Sequence, residues 1–158
     1  MWKKIKPYVI SILIALAVGG LAAWLTRDSM DIYGQIEKPA LAPPGILFPI
    51  VWSILYVLMG ISAAMIYTNR TASSDEKKIA LKTYAFQLIV NFFWTLIFFN
   101  LRSYLFAFFW LILLWVLILI MIVQFVRIKP LAGWLQIPYL LWVTFAGYLN
   151  FMIYLLNR

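Results

Sequence analysis

The stretch YLFAFFWLILLWVLILIMIVQFV, Tyr104–Val126, holds no charged residue and a single amide, Gln124. A helix needs about 20 apolar residues to cross the hydrocarbon core of a bilayer. In lipid every backbone N–H and C=O must be paired within the segment, so a stretch of this kind is a helix. Working outward, four further apolar stretches run over Tyr8–Leu25, Ile46–Tyr67, Ile79–Phe99 and Leu131–Leu156. No Lys, Arg, Asp or Glu lies within Tyr8–Trp24, Pro39–Asn69, Thr83–Leu101, Ser103–Val126 or Pro130–Asn157. The expected fold is an all-α integral membrane protein, a five-transmembrane-helix bundle, with residues 1–158 forming one domain. A charge in lipid is kept where function needs it, so chemistry inside this bundle is not ion chemistry.

Composition narrows the function further. The chain has 158 residues, 66% of them hydrophobic, and the bundle consumes nearly all of them. There is no cysteine and no histidine, which removes thiolate nucleophiles, the common zinc sites and the usual haem-iron ligand. No metal site and no required cofactor are expected. The formal charge of +8 is a topology signal and not a mark of nucleic-acid binding, because lysine and arginine gather on the cytoplasmic side of membrane proteins. Nine of the 13 basic residues fall on one side: Lys3, Lys4 and Lys6, then Arg70, Lys77, Lys78 and Lys82, then Arg127 and Lys129. Arg27, Lys38, Arg102 and Arg158 fall on the other. The N-terminus is expected inside and the C-terminus outside, in a bacterial cell membrane. The start MWKKIKP precedes about 18 apolar residues, longer than a secretory h-region, and reads as an uncleaved first helix.

The connections are unequal. Asn100–Ser103 is short enough to make the third and fourth spans a tight antiparallel hairpin. Thr26–Gly45 is long and carries Asp28, Asp31, Tyr33, Glu37, Lys38, Pro39, Pro43 and Pro44. Proline limits backbone freedom, and long connections in compact domains are usually functional or disordered. The reading here is a stiff lid over the outer end of the bundle. In the connection around Asn69–Lys78, Ser73 or Ser74 suits the N-cap of the third span, with Asp75 and Glu76 in its first turn.

Few polar residues sit inside the spans. Gln87, Asn91, Trp94 and Phe98 share one face of the third span, and Tyr139, Trp142, Ala146 and Asn150 share one face of the fifth. Trp52, Tyr56, Met59 and Gly60 share a face of the second. Amides facing lipid lack partners, so these stripes are expected to face inward. Ala15, Gly19 and Ala23 read as a close-packing stripe on the first span. Trp2, Tyr8, Tyr67, Tyr104 and Trp134 suit an interfacial aromatic belt. Trp110 and Trp115 are expected to face lipid or an oligomer partner. Trp94 and Trp142, deep and near amides, suit a pocket for a flat, mostly apolar ligand; on residue physics alone, simple packing explains them equally well.

The segment Lys38-Pro39-Ala-Leu-Ala-Pro43-Pro44-Gly-Ile-Leu-Phe48-Pro49-Ile-Val51-Trp52-Ser-Ile-Leu55-Tyr56-Val-Leu-Met59-Gly60 resembles the signature of the TspO/MBR family, the bacterial tryptophan-rich sensory proteins and mitochondrial translocator proteins. Gln87…Asn91-Phe-Phe-Trp94-Thr-Leu-Ile-Phe98-Phe99 and Pro138-Tyr139-Leu-Leu-Trp142-Val-Thr-Phe145-Ala146…Leu149-Asn150 resemble its third- and fifth-helix motifs. The resemblance implies a five-helix, often dimeric membrane receptor for tetrapyrroles (protoporphyrin, haem) and for benzodiazepine- and isoquinoline-type ligands. It implies Tyr33, Pro44, Trp52, Asn91, Trp94, Trp142, Phe145 and Ala146 as ligand-binding residues. It also implies Trp52 and Trp142 as the candidate catalytic pair for a light- and oxygen-dependent porphyrin breakdown, with porphyrin as ligand or substrate. Three positions depart from the pattern: Ile46 replaces an aromatic, Pro49 displaces a proline, and Phe151 replaces a tyrosine of the proposed sterol motif. Leu149…Tyr154…Arg158 nearby still fits that loose pattern, but bacteria generally lack cholesterol and sterol binding is not expected. The alternatives are a porphyrin transporter and a ligand-regulated partner protein.

Overall fold

The computed structural model describes residues 1–158, and it is helical with no strand. Its elements are α1 (Trp2–Leu25), a 3-10 turn at Arg27–Ser29, α2 (Ile32–Gln35), α3 (Leu47–Tyr67), α4 (Ser74–Thr95), α5 (Tyr104–Ile128), α6 (Pro130–Trp134) and α7 (Ile137–Asn157). Five helical segments are long and apolar enough to cross a membrane: α1, α3, α4 with the turn that follows it, α5, and α6 with α7. The five-span fold read from the sequence holds, with shifts at the ends. The first span starts at Trp2, not Tyr8, and runs through Pro7, which removes one ladder hydrogen bond without stopping the helix. The third starts at Ser74, where the Ser73 hydroxyl accepts from the Glu76 N–H at 3.1 Å, an N-cap with Asp75 and Glu76 in the first turn. The fifth is broken into α6 and α7 around Leu135 and Gln136.

α1 packs mainly on α3, while α5 packs on both α4 and α7. The α1–α3 seam depends on glycine. A Cβ on Gly60 would stand 2.5 Å from the Ile12 Cα, and one on Gly19 would enter the Tyr56 ring. Small residues of this kind let backbones approach where no hydrophobic drive separates helix from lipid. Two residues on from Gly60, the Ser62 hydroxyl donates to the Ala132 carbonyl at 2.6 Å, tying α3 to α6.

The hairpin between α4 and α5 closes through a π-helical turn, Leu96–Asn100, with the Leu101 N–H bonded to the Leu96 carbonyl at 3.1 Å. Arg102 then takes φ 53°, a left-handed value uncommon outside glycine. Ile97, Phe98 and Phe99 of this turn are all buried in the core.

Candidate functional site

Between α1, α3, α4 and α7, at the end of the bundle beneath the first connection, lies a cavity of about 230 Å³. Its aromatic wall includes Tyr33, Phe48, Trp52, Trp94, Phe98 and Trp142, with Tyr56 and Phe99 at its inner side. The α1 side is lined by small residues, Gly19, Gly20, Ala22 and Ala23. Ala146 and Asn150 of α7 and Thr95 of α4 also line it.

The rings contact edge to face. Tyr33 meets Phe48 at 5.0 Å between centroids, and Phe48 meets Trp142 at 5.8 Å. Trp142 in turn lies 5.7 Å from Phe145. A single aromatic ladder therefore runs from the first connection to α7. Trp52 is wedged between Tyr56 (5.7 Å) and Tyr139 (6.1 Å).

Polar atoms are arranged in two places. Beside the cavity the Trp94 indole donates to Asn150 Oδ1 at 3.1 Å, and Asn150 Nδ2 donates to the Tyr104 carbonyl at 2.8 Å. One layer deeper is a chain of neutral groups. Tyr56 Oη donates to Asn91 Oδ1 at 3.1 Å, Asn91 Nδ2 donates to Tyr139 Oη at 2.7 Å, and Tyr139 Oη donates to Gln87 Oε1 at 2.6 Å. All four side chains are buried. This arrangement joins α3, α4 and α7 and uses hydrogen bonds where lipid offers none. By contrast, the buried Trp142 indole N–H has no protein partner.

The first connection folds over the cavity and is pinned at several points. Tyr33 Oη donates to the Pro43 carbonyl at 2.6 Å. Lys38 Nζ donates to the Tyr33 carbonyl at 2.6 Å and lies 4.8 Å from the Tyr33 ring centroid. Asn157 of α7 accepts from the Glu37 N–H at 3.0 Å and donates to the Glu37 carbonyl at 2.8 Å. Burial under the loop raises the Tyr33 pKa above 10.0. With no charged side chain on the cavity wall, the site offers stacking surface, a few neutral hydrogen-bonding groups and exclusion of water.

Of the residues anticipated as ligand-binding, Tyr33, Trp52, Trp94, Trp142 and Ala146 line the cavity together. Pro44, Asn91 and Phe145 do not. Pro44 is exposed on the loop, Asn91 is held in the deeper layer by both tyrosines, and Phe145 backs Trp142 from the side. Phe48, Phe99 and the small α1 residues were not anticipated. The run Gly19-Gly20-Leu-Ala22-Ala23 carried the signal: a stretch without bulk leaves space as readily as it closes it. Trp110 and Trp115, expected to face lipid or an oligomer partner, are half-buried, and each also makes a bond within the chain that was not anticipated. Trp110 donates to the Val90 carbonyl at 2.7 Å and Trp115 to the Thr144 hydroxyl at 2.8 Å, so both clamp neighbouring helices within the chain. Their partners are a backbone carbonyl and a threonine on other helices, which α5 read alone cannot reveal.

Comparison with known proteins agrees with this architecture. The model of the TspO/MBR family matches residues 11–156. Tryptophan-rich protein TspO of Chlorobaculum tepidum is 35% identical over 158 residues, covering 99% of each chain. Protein CrtK of Rhodobacter capsulatus is 39% identical over 125 residues, 79% of this chain and 78% of the relative. The translocator protein of Bos taurus is 32% identical over 141 residues, 89% and 83% respectively. A match of this extent, on five spans in the same order as the motifs that build the cavity, makes this chain an integral membrane protein of the TspO/MBR family.

Proposed function

We propose that this protein is a membrane receptor for flat, largely apolar aromatic ligands of the tetrapyrrole class, held in the cavity beneath the first connection. The observation that carries the reading is the convergence of Trp52, Trp94 and Trp142 on one uncharged, covered cavity. Indole faces supply stacking area. A few polar groups on an otherwise apolar wall fix orientation in small-molecule sites. The relatives' names, tryptophan-rich sensory protein and translocator protein, agree with a receptor role.

Size adds a requirement. Pockets for drug-sized ligands span about 300–1,000 Å³, and this cavity is about 230 Å³. A macrocycle therefore enters only if the first connection lifts or the small-residue side of α1 gives way. Moving α1 breaks its close packing on α3, whereas the loop is tied to α7 by two bonds of Asn157, so lifting the loop is the cheaper change. The protein is read as bacterial, with its N-terminus inside and the lid outside, and as a homodimer.

Titration of the purified protein with protoporphyrin in darkness tests the receptor. Saturable quenching of tryptophan emission is the expected result; unchanged emission at saturating porphyrin removes the assignment. Flux of porphyrin into sealed vesicles separates transport from reception, since a receptor binds without flux. Illumination in air then asks whether the protein promotes breakdown. Spectral loss that disappears in Trp52→Phe and Trp142→Phe marks a protein-driven reaction. Loss at the parental rate in the double variant marks a porphyrin bleaching itself.

A further inference from the structure

A second cavity, about 500 Å³, opens at the opposite end of the α1–α3 seam. Lys6, Ile10, Ser11 and Ile14 of α1 form one side, with Tyr67 of α3 and Tyr84 of α4 opposite. Gly60 against Ile12 and Gly19 against Tyr56 close the seam between the two cavities, so this groove is separate from the ligand cavity. Its position joins three features. The wall is mainly apolar, and Ile10, Ile14 and Tyr67 are exposed on the bundle surface, where acyl chains lie. Lys6 stands at the mouth, on the end of the bundle that holds nine of the 13 basic residues. Tyr84 is more than nine-tenths buried, and its hydroxyl has no protein partner. Its ring forms the inner wall of the groove.

We infer that this groove is a binding site for one phospholipid with an anionic headgroup: an acyl chain along Ile10–Ile14 against the Tyr84 ring, and the phosphate at Lys6. From Lys6 to Ile14 the helix rises about 12 Å, the span from headgroup to upper acyl chain. The lipid binds α1 to α3 and α4 at the inner end, where the seam is otherwise open.

Native mass spectrometry of the full chain released from bilayers of phosphatidylcholine with phosphatidylglycerol tests the site. One retained phosphatidylglycerol per chain is expected. Lys6→Gln lowers its preference over phosphatidylcholine by about five-fold, as one basic residue at an anionic surface does; Lys6→Arg keeps it, and Lys3→Gln, outside the groove, leaves it near the parent. Tyr84→Phe keeps the ring against the acyl chain and leaves retention near the parent. Soluble glycerophosphate does not compete; competition by it would show a free-anion site and overturn the lipid. Equal loss in Lys3→Gln and Lys6→Gln would show only general attraction of the basic end and would also overturn it, as would unchanged retention in Lys6→Gln.

Discussion

The cavity wall and the layer beneath it are built from similar residues and behave differently. In the deeper layer Tyr56, Asn91, Tyr139 and Gln87 direct their polar atoms at one another across three helices. In the wall, Tyr33, Phe48 and Trp142 meet through ring edges and faces, and the Trp142 indole N–H has no partner. Directional bonds in a medium without water set a unique register; ring contacts tolerate sliding and leave room for a guest. The molecule thus has a fixed floor and an adaptable wall. The lid belongs with the wall: beyond its own Tyr33–Pro43 and Lys38–Tyr33 bonds, it is tied to α7 by the two Asn157–Glu37 bonds.

The largest expected effect comes from breaking the floor. Asn91→Leu leaves the Tyr56 hydroxyl without its acceptor and Tyr139 without its donor. The loss is about 2 kcal/mol, read as a lower unfolding midpoint in detergent with increasing denaturant. A parental midpoint would mean that the floor is no more rigid than the wall. A paired substitution then sharpens the contrast. Trp94→Phe deletes the bond to Asn150 and lowers stability by about 1 kcal/mol. Trp142→Phe deletes no bond and stays within about 0.5 kcal/mol of the parent, while keeping most porphyrin binding through its remaining ring. Equal losses from both would erase the distinction between fixed and free tryptophans.

Smaller effects concern the lid. Pro43→Gly with Pro44→Gly loosens the loop that Tyr33 grips at Pro43. Proline lowers the entropy lost on ordering, so bound porphyrin should dissociate roughly five-fold faster while the unfolding midpoint barely moves; identical dissociation rates would make the loop a passive cover. The smallest effect is a pH dependence. Burial raises the Tyr33 pKa when the lid is closed. The neutral phenol is favoured there, so the contribution is fully present below about pH 10 and is lost as pH rises past that value towards the closed-lid pKa. Dissociation should therefore quicken above about pH 10, and Tyr33→Phe should flatten that part of the profile. A profile that keeps its shape in the variant would place the titration elsewhere.

Much of the floor was legible in the sequence. Gln87, Asn91, Trp94 and Phe98 recur at helical spacing, and polar residues inside uncharged spans have few tolerable directions, so their inward placement follows from lipid alone. The wall was legible in part. Trp52, Trp94 and Trp142 were identifiable as cavity residues, whereas Asn91 was not separable from them, because spacing along one helix does not tell how deep each turn lies against its neighbours. The bonds that Trp110 and Trp115 make inside the chain were not legible for a related reason: their partners belong to α4 and α7.

Hydropathy and charge by themselves determined the number of spans and where they lie, because the cost of an unpaired backbone or a charge in hydrocarbon leaves almost no alternative. Motifs determined which faces turn inward. Only the tertiary structure decided that the span ends in a π-turn at Leu96–Asn100 with Ile97, Phe98 and Phe99 all buried. It alone decided that Gly19 and Gly60 draw α1 onto α3 while the run through Ala22 and Ala23 leaves space. A cavity is what several helices fail to fill between them, so it is a property of their mutual packing and is written in no single segment.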